Sequence, residues 1–266
     1  MYAFAYHRAR SLADAADALR NTPGAMPLAG GMSLVPVMRH RLAAPAALVD
    51  LNAVAELRGI TVTATSVRIG AMTTHYTVAS SAELQRAIPA LARLAGGIGD
   101  PLVRNRGTIG GSLAHNDPAA CYPCALLGLG ATVHTDRRKI PADDFIRGSF
   151  QTALASGELI TSVEFPRPDA AAHLKFENFA SRFSIVGVFV ARTGGKVRVG
   201  ITGAGPCAFR AAPLEAALEC EFSPAAIADL HIPPSALIDD VHASAKFRSH
   251  LITELAGRAV AQCASA

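Results

Sequence analysis

The sequence predicts an α+β protein, and three observations carry that expectation. Amphipathic helical stretches and β-branched runs both occur along the chain, yet they do not alternate strictly as a doubly wound sheet requires. No Gly-x-Gly-x-x-Gly fingerprint joins a strand to a helix. Half of the 266 residues are apolar, enough for a sizeable core, and much of that half is alanine, which suits close packing of helices and backbone.

In chain order, Ser11 is a capping residue with Asp14 three positions on, and Leu12, Ala15, Ala16 and Leu19 share one face, so 11–20 is a short amphipathic helix. Residues 21–24 (Asn-Thr-Pro-Gly) close it. A strand follows at 25–29, then a turn or short helix at 33–41 and a buried strand at 47–51. β-Branched residues with period-2 alternation give one or two strands over 59–71. Helices are expected at 73–79 and 81–96, followed by a long glycine-bearing segment to Pro118. A helix at 122–129 and strands at 131–135 and 158–165 come next. Pro166-Arg167-Pro168 marks a boundary there or slightly beyond. Beyond it, strands at 185–191 and 196–202 precede helices at 213–218 and 244–263.

Several function classes are disfavoured. The net charge of +4 is spread without a basic block, so nucleic acid is not an expected partner. No apolar run approaches the ~18 residues of a membrane span, and five cysteines without a secretory start suggest no disulfide framework. A cytoplasmic protein is expected. The phosphate-loop, His-Glu-x-x-His and Gly-x-Ser-x-Gly motifs are absent. No catalytic acid–base constellation and no metal-ligand set stand out.

Two segments carry more than fold: Pro27–Pro36, with Ala29-Gly30-Gly31-Met32-Ser33-Leu34, and 104–118, with Arg104-Asn-Arg-Gly-Thr-Ile-Gly-Gly-Ser112. Glycine lets another group approach the backbone, and consecutive N–H groups in such a turn form an anion-binding concavity. One loop of this kind is equally a tight strand-to-helix turn. Two of matching chemistry suggest a phosphate-bearing ligand gripped from both sides.

At these loops the chain resembles the FAD-binding middle subunit of molybdenum-containing hydroxylases, the group of the carbon monoxide dehydrogenase medium chain and the xanthine dehydrogenase flavin domain. Leu48–Leu51, Glu56–Ile60, Gly157–Ile160, Ala180–Phe183, Thr202–Pro206 and Ala243–Arg248 extend the likeness over nearly the whole chain. The resemblance implies a vanillyl-alcohol-oxidase-like, PCMH-type FAD domain over 1–170, in subdomains of about 1–53 and 54–170, and a smaller α+β C-terminal domain over 171–266. FAD would be bound without covalent attachment. Ala29, Gly30, Gly31, Met32, Ser33 and Leu34 would form one wall, and Thr108, Gly110, Gly111 and Ser112 the other, both through backbone N–H groups. Ile109 lies between, facing the site only through its backbone. Either His115 or Asn116 would reach a ribose or adenine edge, Ile160 would make an apolar contact, and Lys175, or Asn178 with a local offset of three residues, would stand near the isoalloxazine.

Two positions depart from the family pattern. Met32 replaces the Gln or His common in relatives. Cys121 replaces an Asp that helps hold the cofactor, and a thiol does not accept hydrogen bonds as a carboxylate does. That change also creates Cys121-Tyr-Pro-Cys124, read either as two small side chains at a helix start or as a redox dithiol beside the flavin. The family role implied is electron transfer. A large subunit carries the molybdenum cofactor, a small subunit carries two [2Fe–2S] clusters, and the three assemble as (αβγ)₂. A flavin-free bracing subunit and a stand-alone flavin oxidoreductase are the rival readings.

Overall fold

A computed structural model describes residues 1–264. Strands β1 (Ala5–Arg8), β2 (Ala25–Leu28) and β3 (Ala47–Asp50) form a small parallel sheet in the order β1-β3-β2. Helix α1 (Leu12–Asn21) covers one face, burying Ala15, Ala16 and Leu19, and the Ser11 hydroxyl caps it by accepting from Asp14 N at 3.1 Å. The central strand β3 is buried at every position. Helix α2 (Leu34–Arg39) follows β2.

The second sheet is antiparallel. Strands β4 (Ile60–Val62), β5 (Ser66–Gly70), β6 (Thr132–Thr135) and β7 (Lys139–Pro141) flank β10 (Ile160–Pro166) in the order β4-β5-β10-β6-β7. A two-stranded hairpin, β8 (Ile146–Gly148) with β9 (Gln151–Thr152), and the short α9 (Ala142–Phe145) precede β10. Between β5 and β6 run α3 (His75–Ser80), α4 (Ala82–Ala87), α5 (Pro89–Gly96), α6 (Pro101–Arg106), α7 (Ile109–His115) and α8 (Tyr122–Gly128). The third sheet, β11 (Ala170–Glu177), β12 (Ser184–Thr193), β13 (Lys196–Thr202) and β14 (Phe209–Arg210), is an antiparallel meander. Helices α10 (Ala212–Cys220) and α11 (Ala245–Ala264) share a core with its Val186, Val188, Val190 and Val199. Phe189 and Ala191 project into the other core instead, where they meet α8, all seven of whose residues are buried. That alternation along β12 is the period-2 rule with both faces covered.

The α+β class expected from the sequence is the one observed. The differences lie in short elements. The helix expected over 81–96 is two helices, because Pro89 has no N–H to continue α4 and instead opens α5 at its first turn. The glycine-bearing segment before Pro118 folds into α6 and α7. Asp100 caps α6, accepting from Val103 N at 2.8 Å, and Pro101 starts it. Helix α7 holds two glycines in seven residues, which propensity alone disfavours. Strands β1, β7, β11 and β14, the short α9 and the hairpin have no counterpart in the sequence expectation; β1 is exposed at all four positions and shows no buried alternation.

One buried charge ties α11 to the third sheet. Arg248 is 2% exposed and donates to Ile185 O at 2.6 Å, Gly203 O at 2.8 Å and Asp240 Oδ1 at 2.7 Å. It also reaches Ala243 O at 3.4 Å.

Candidate functional site

The first glycine loop leaves β2 and enters α2. Gly31 turns the chain at φ 75°, in the left-handed region that favours glycine. Ser33, the N-cap of α2, makes no side-chain cap bond. The N–H groups of Gly30, Gly31, Met32, Ser33 and Leu34 have no hydrogen-bond partner among the described residues. Unsatisfied donors at a helix start are normally met by a side chain, water or a ligand. Here they line a cleft.

The second loop is built differently. The Thr108 hydroxyl accepts from Gly111 N at 3.1 Å, Ile109 N donates to Thr73 O at 3.2 Å, and Gly110 N donates to Ala71 O at 2.9 Å. Ser112 N donates to Thr108 O at 3.0 Å. These N–H groups anchor α7 and are not left for a ligand, contrary to the expectation that both loops cradle through the backbone. What the loop presents is the Ser112 hydroxyl, which has no partner among the described residues. The two loops touch: a Cβ on Gly30 would lie 2.1 Å from Arg106 O and 2.9 Å from Gly107 Cα.

Between them runs a cleft of about 660 Å³, within the range of about 300–1,000 Å³ common for small-molecule sites. It reaches from Met26 on β2 and Val37 on α2, past His75 and Ile98, to Ser181 and Phe183 beside the third sheet. Ala29, Gly30, Gly31, Met32, Ser33 and Leu34 line it, as do Thr108, Gly110, Gly111, Ser112 and His115. Cys121 and Ile160 line its far part.

Three expected residues fall outside. Ile109 is fully buried in the core, and its N–H is already used. Asn116 is 1% exposed, and its amide donates to Gly148 O at 2.8 Å and Gln151 O at 2.9 Å, so it holds the β8–β9 hairpin. Lys175 is a strut: Nζ donates to Gly97 O at 2.8 Å and Arg182 O at 2.9 Å and pairs with Glu177 at 3.0 Å. Arg104 likewise donates to Ile98 O and Gly99 O.

Burial raises the pKa of the Cys121 thiol, and that of Cys124 well above its usual value. Cys121 lies 3.6 Å from the Ser184 hydroxyl, while Cys124 donates to Cys121 O at 3.0 Å. Both are free protonated thiols, poor nucleophiles.

The sequence reading passed over His75, Glu158, Phe150 and Phe183, all in the cleft wall. Glu158 and Phe183 lay inside blocks that carry the family resemblance. His75 gave no local signal beyond its place after the capping Thr74. Arg138 holds the Glu158 carboxyl at a pKa of about 2 through paired hydrogen bonds of 2.9 Å, aided by Ala155 N at 2.7 Å. Burial, with Arg104 nearby, lowers His75 to about 4, and its Nδ1 has no partner. Burial, with Lys175 and Arg93, lowers His173 to about 3.

These shifts fix a pH dependence. A histidine whose folded pKa lies below its unfolded value of about 6.5 contributes stability that is complete above 6.5 and is lost as pH falls towards the folded value. Glu158 adds a similar loss between its ordinary 4.5 and about 2. Stability is therefore expected to decline from pH 6.5 downward, with His75→Gln and His173→Gln each flattening the slope between pH 6.5 and 4 in urea titrations. An unchanged slope in both variants contradicts the assignment.

Comparison with known proteins agrees with this geometry. Residues 2–168 match the family described as "FAD binding domain in molybdopterin dehydrogenase". The chain belongs to this family. It is an FAD-binding medium subunit of molybdenum-hydroxylase type, and FAD is its cofactor. The nicotine 6-hydroxylase medium subunit of Paenarthrobacter nicotinovorans is 34% identical, over 98% of this chain and 97% of its own. The carbon monoxide dehydrogenase medium chain of Afipia carboxidovorans is 37% identical over 73% of this chain and 70% of its own. Among solved structures, quinoline 2-oxidoreductase from Pseudomonas putida 86 superposes with a TM-score of 0.89 at 30% identity, covering 99% of this chain and 98% of that one. The site residues fit a flavin dinucleotide on structural grounds: the five free N–H groups and the Ser33 and Ser112 hydroxyls suit a pyrophosphate, and the cleft beyond is long and largely apolar. No group of three or more His, Cys, Asp or Glu among the described residues could hold a metal ion, and no helix is long and apolar enough to cross a membrane.

Proposed function

We propose that this flavin subunit is the electron exit of a cytoplasmic molybdenum hydroxylase. It would receive electrons from [2Fe–2S] clusters on a small partner subunit, after a large molybdopterin-bearing subunit has oxidised the substrate, in an (αβγ)₂ assembly. The residues proposed to hold FAD are Ala29 through Leu34 at the pyrophosphate, Thr108 and Ser112 opposite, His115 further along, and Cys121 and Ile160 towards the ring. The flavin domain ends near residue 170. When bound, FAD exchanges one or two electrons and so couples single-electron clusters to a two-electron acceptor.

The observation that supports this reading is the row of unclaimed N–H donors from Gly30 to Leu34 in the cleft wall, which suits an anionic pyrophosphate. Three titratable groups of the cleft wall are not poised for substrate chemistry. Glu158 is locked to Arg138, His75 is neutral at pH 7, and Asp117 accepts from Ala119 N at 2.8 Å in its own turn. A chain that binds and orients a cofactor, with Glu158 and Asp117 already committed to hydrogen bonds of their own, suits relay better than turnover.

The test is isolation of the tagged chain from its native host. Two co-purifying chains, with [2Fe–2S] absorbance and about one molybdenum per flavin by elemental analysis, are expected. A flavin-loaded chain isolated alone, or one turning over substrate by itself, overturns the partner assignment.

A further inference from the structure

A second cleft opens beside the flavin cleft. It holds about 350 Å³ and shares Asp117, Ala119, Phe150, Ser181 and Phe183 with its neighbour. Phe150 and Phe183 are half exposed, at 56% and 50%. Four non-glycine residues among those described have positive φ; two of them, Phe150 and Arg182, line this mouth, and a third, Asn116, is buried behind it. Phe150 sits at φ 56°, a conformation that is strained for a bulky residue and persists only where the surroundings enforce it.

Several contacts supply the enforcement. Phe150 N donates to Asn116 O at 3.1 Å, the Asn116 amide grips both sides of the hairpin, and Ser149 Oγ donates to Pro206 O. The Phe150 ring then lies 5.1 Å from that of His115. Phe183 follows Arg182, whose carbonyl is fixed by Lys175 at 2.9 Å. The fold thus spends strain to present aromatic surface at the point where the two clefts meet.

Charge selects the occupant. The guanidinium in the second cleft's wall, Arg248, is committed to Ile185 O, Gly203 O and Asp240. Arg182, on the flavin side of the mouth, lies 4.0 Å from the Glu177 carboxylate. Asp117 and Asp240 face the second cleft, so a phosphate meets carboxylates where it needs cations. An uncharged flat ring, by contrast, gains by stacking on phenylalanine. His242 also lines the cleft, with Nδ1 3.5 Å from Asn178 Nδ2.

We propose that this second cleft binds a flat, uncharged electron acceptor of the quinone class between Phe150 and Phe183. The proposal rests on the flavin reading above. The exchange balances: fully reduced FAD gives up two electrons and two protons and becomes oxidised FAD, and the quinone takes up both to become the hydroquinone.

Menadione is the probe. In equilibrium dialysis against the oxidised, FAD-loaded chain it is expected to bind saturably, and Phe150→Ala and Phe183→Ala each weaken binding tenfold or more. After stoichiometric dithionite reduction, stopped-flow reoxidation by menadione slows in the same variants. Reoxidation by ferricyanide, compared per bound FAD, reports any disturbance of the flavin itself, and a loss there equal to the menadione loss overturns the proposal. Phe150→Leu, which keeps an apolar side chain but no ring, gives an intermediate loss and guards against collapse of the hairpin. Menadione binding that does not saturate, or that survives both alanine variants, overturns the proposal, as does NAD⁺ binding more tightly than menadione. A chain that retains no FAD removes the flavin reading and this inference together; retained FAD with unaltered menadione binding removes this inference alone.

Discussion

Gly30→Ala is expected to abolish FAD retention, taking bound flavin from about one per chain to below a tenth. The added Cβ would sit 2.1 Å from Arg106 O and 2.6 Å from Arg106 C, backbone atoms that cannot swing aside as a side chain would. The two glycine loops must therefore separate, which moves the five free N–H groups away from Ser112 across the cleft. Overpacking of this kind costs about 1–3 kcal/mol in stability, so the chain should remain folded while the site is lost. Gly96→Ala is the control. Its Cβ would lie 3.7 Å from Ala79 Cβ, in ordinary contact within α5, and it should leave flavin content unchanged. Flavin absorbance per chain after desalting, with circular dichroism on the same samples, separates the two outcomes. A Gly30→Ala chain that keeps its flavin would show that loop contact does not set the site.

Arg248→Met should have the largest effect on stability. The substitution preserves length and apolar bulk but leaves Ile185 O, Gly203 O and the Asp240 carboxylate without their donor in a region where Arg248 itself is 2% exposed. Leaving two carbonyls without their donor beside a buried guanidinium site costs about 1–3 kcal/mol each, and the Asp240 pair adds less because that carboxylate is 37% exposed. At about 2–4 °C per kcal/mol for a chain of this size, Tm should drop by roughly 10 °C. Asp240→Asn should cost less, because a neutral amide oxygen still accepts from the guanidinium and from His242 N and Ala243 N. Urea titration of both variants measures the order. An Arg248→Met chain within 1 kcal/mol of the parent would mean that the carbonyls find water and that α11 is held by its apolar face alone.

Much of the cleft was legible in the sequence, for a physical reason. Residues 29–34 and 108–112 announce themselves because close backbone approach and a left-handed turn demand glycine, and side-chain chemistry repeats on both loops. The sequence could not show which N–H groups remain free. Gly30 through Leu34 keep theirs, whereas Ile109, Gly110 and Gly111 spend theirs on Thr73, Ala71 and Thr108. That division depends on β5 and the segment after it lying against α7, a long-range packing fact. Lys175 and Asn116 were misplaced for the same reason: a cation or amide at the right spacing is drawn to whatever carbonyls the fold brings near, here Gly97, Arg182, Gly148 and Gln151. Phe150 gave no signal, since an aromatic in a polar hairpin has no period to betray it. Among elements, amphipathic α1 and fully buried β3 were readable from pattern alone. Helices α6 and α7 were not, because each is held by capping Asp100 and Thr108 and by tertiary contacts in place of helix propensity.

The central claim is that the unclaimed donors of the first loop, facing Ser112 across the cleft, make a working FAD site despite Cys121. Its most direct test is the visible spectrum of the purified recombinant chain after incubation with FAD and desalting, with the acid-released cofactor identified by chromatography. The account predicts a flavin spectrum at about one FAD per chain, released intact by acid because no covalent bond holds it. A folded chain that emerges without flavin contradicts it.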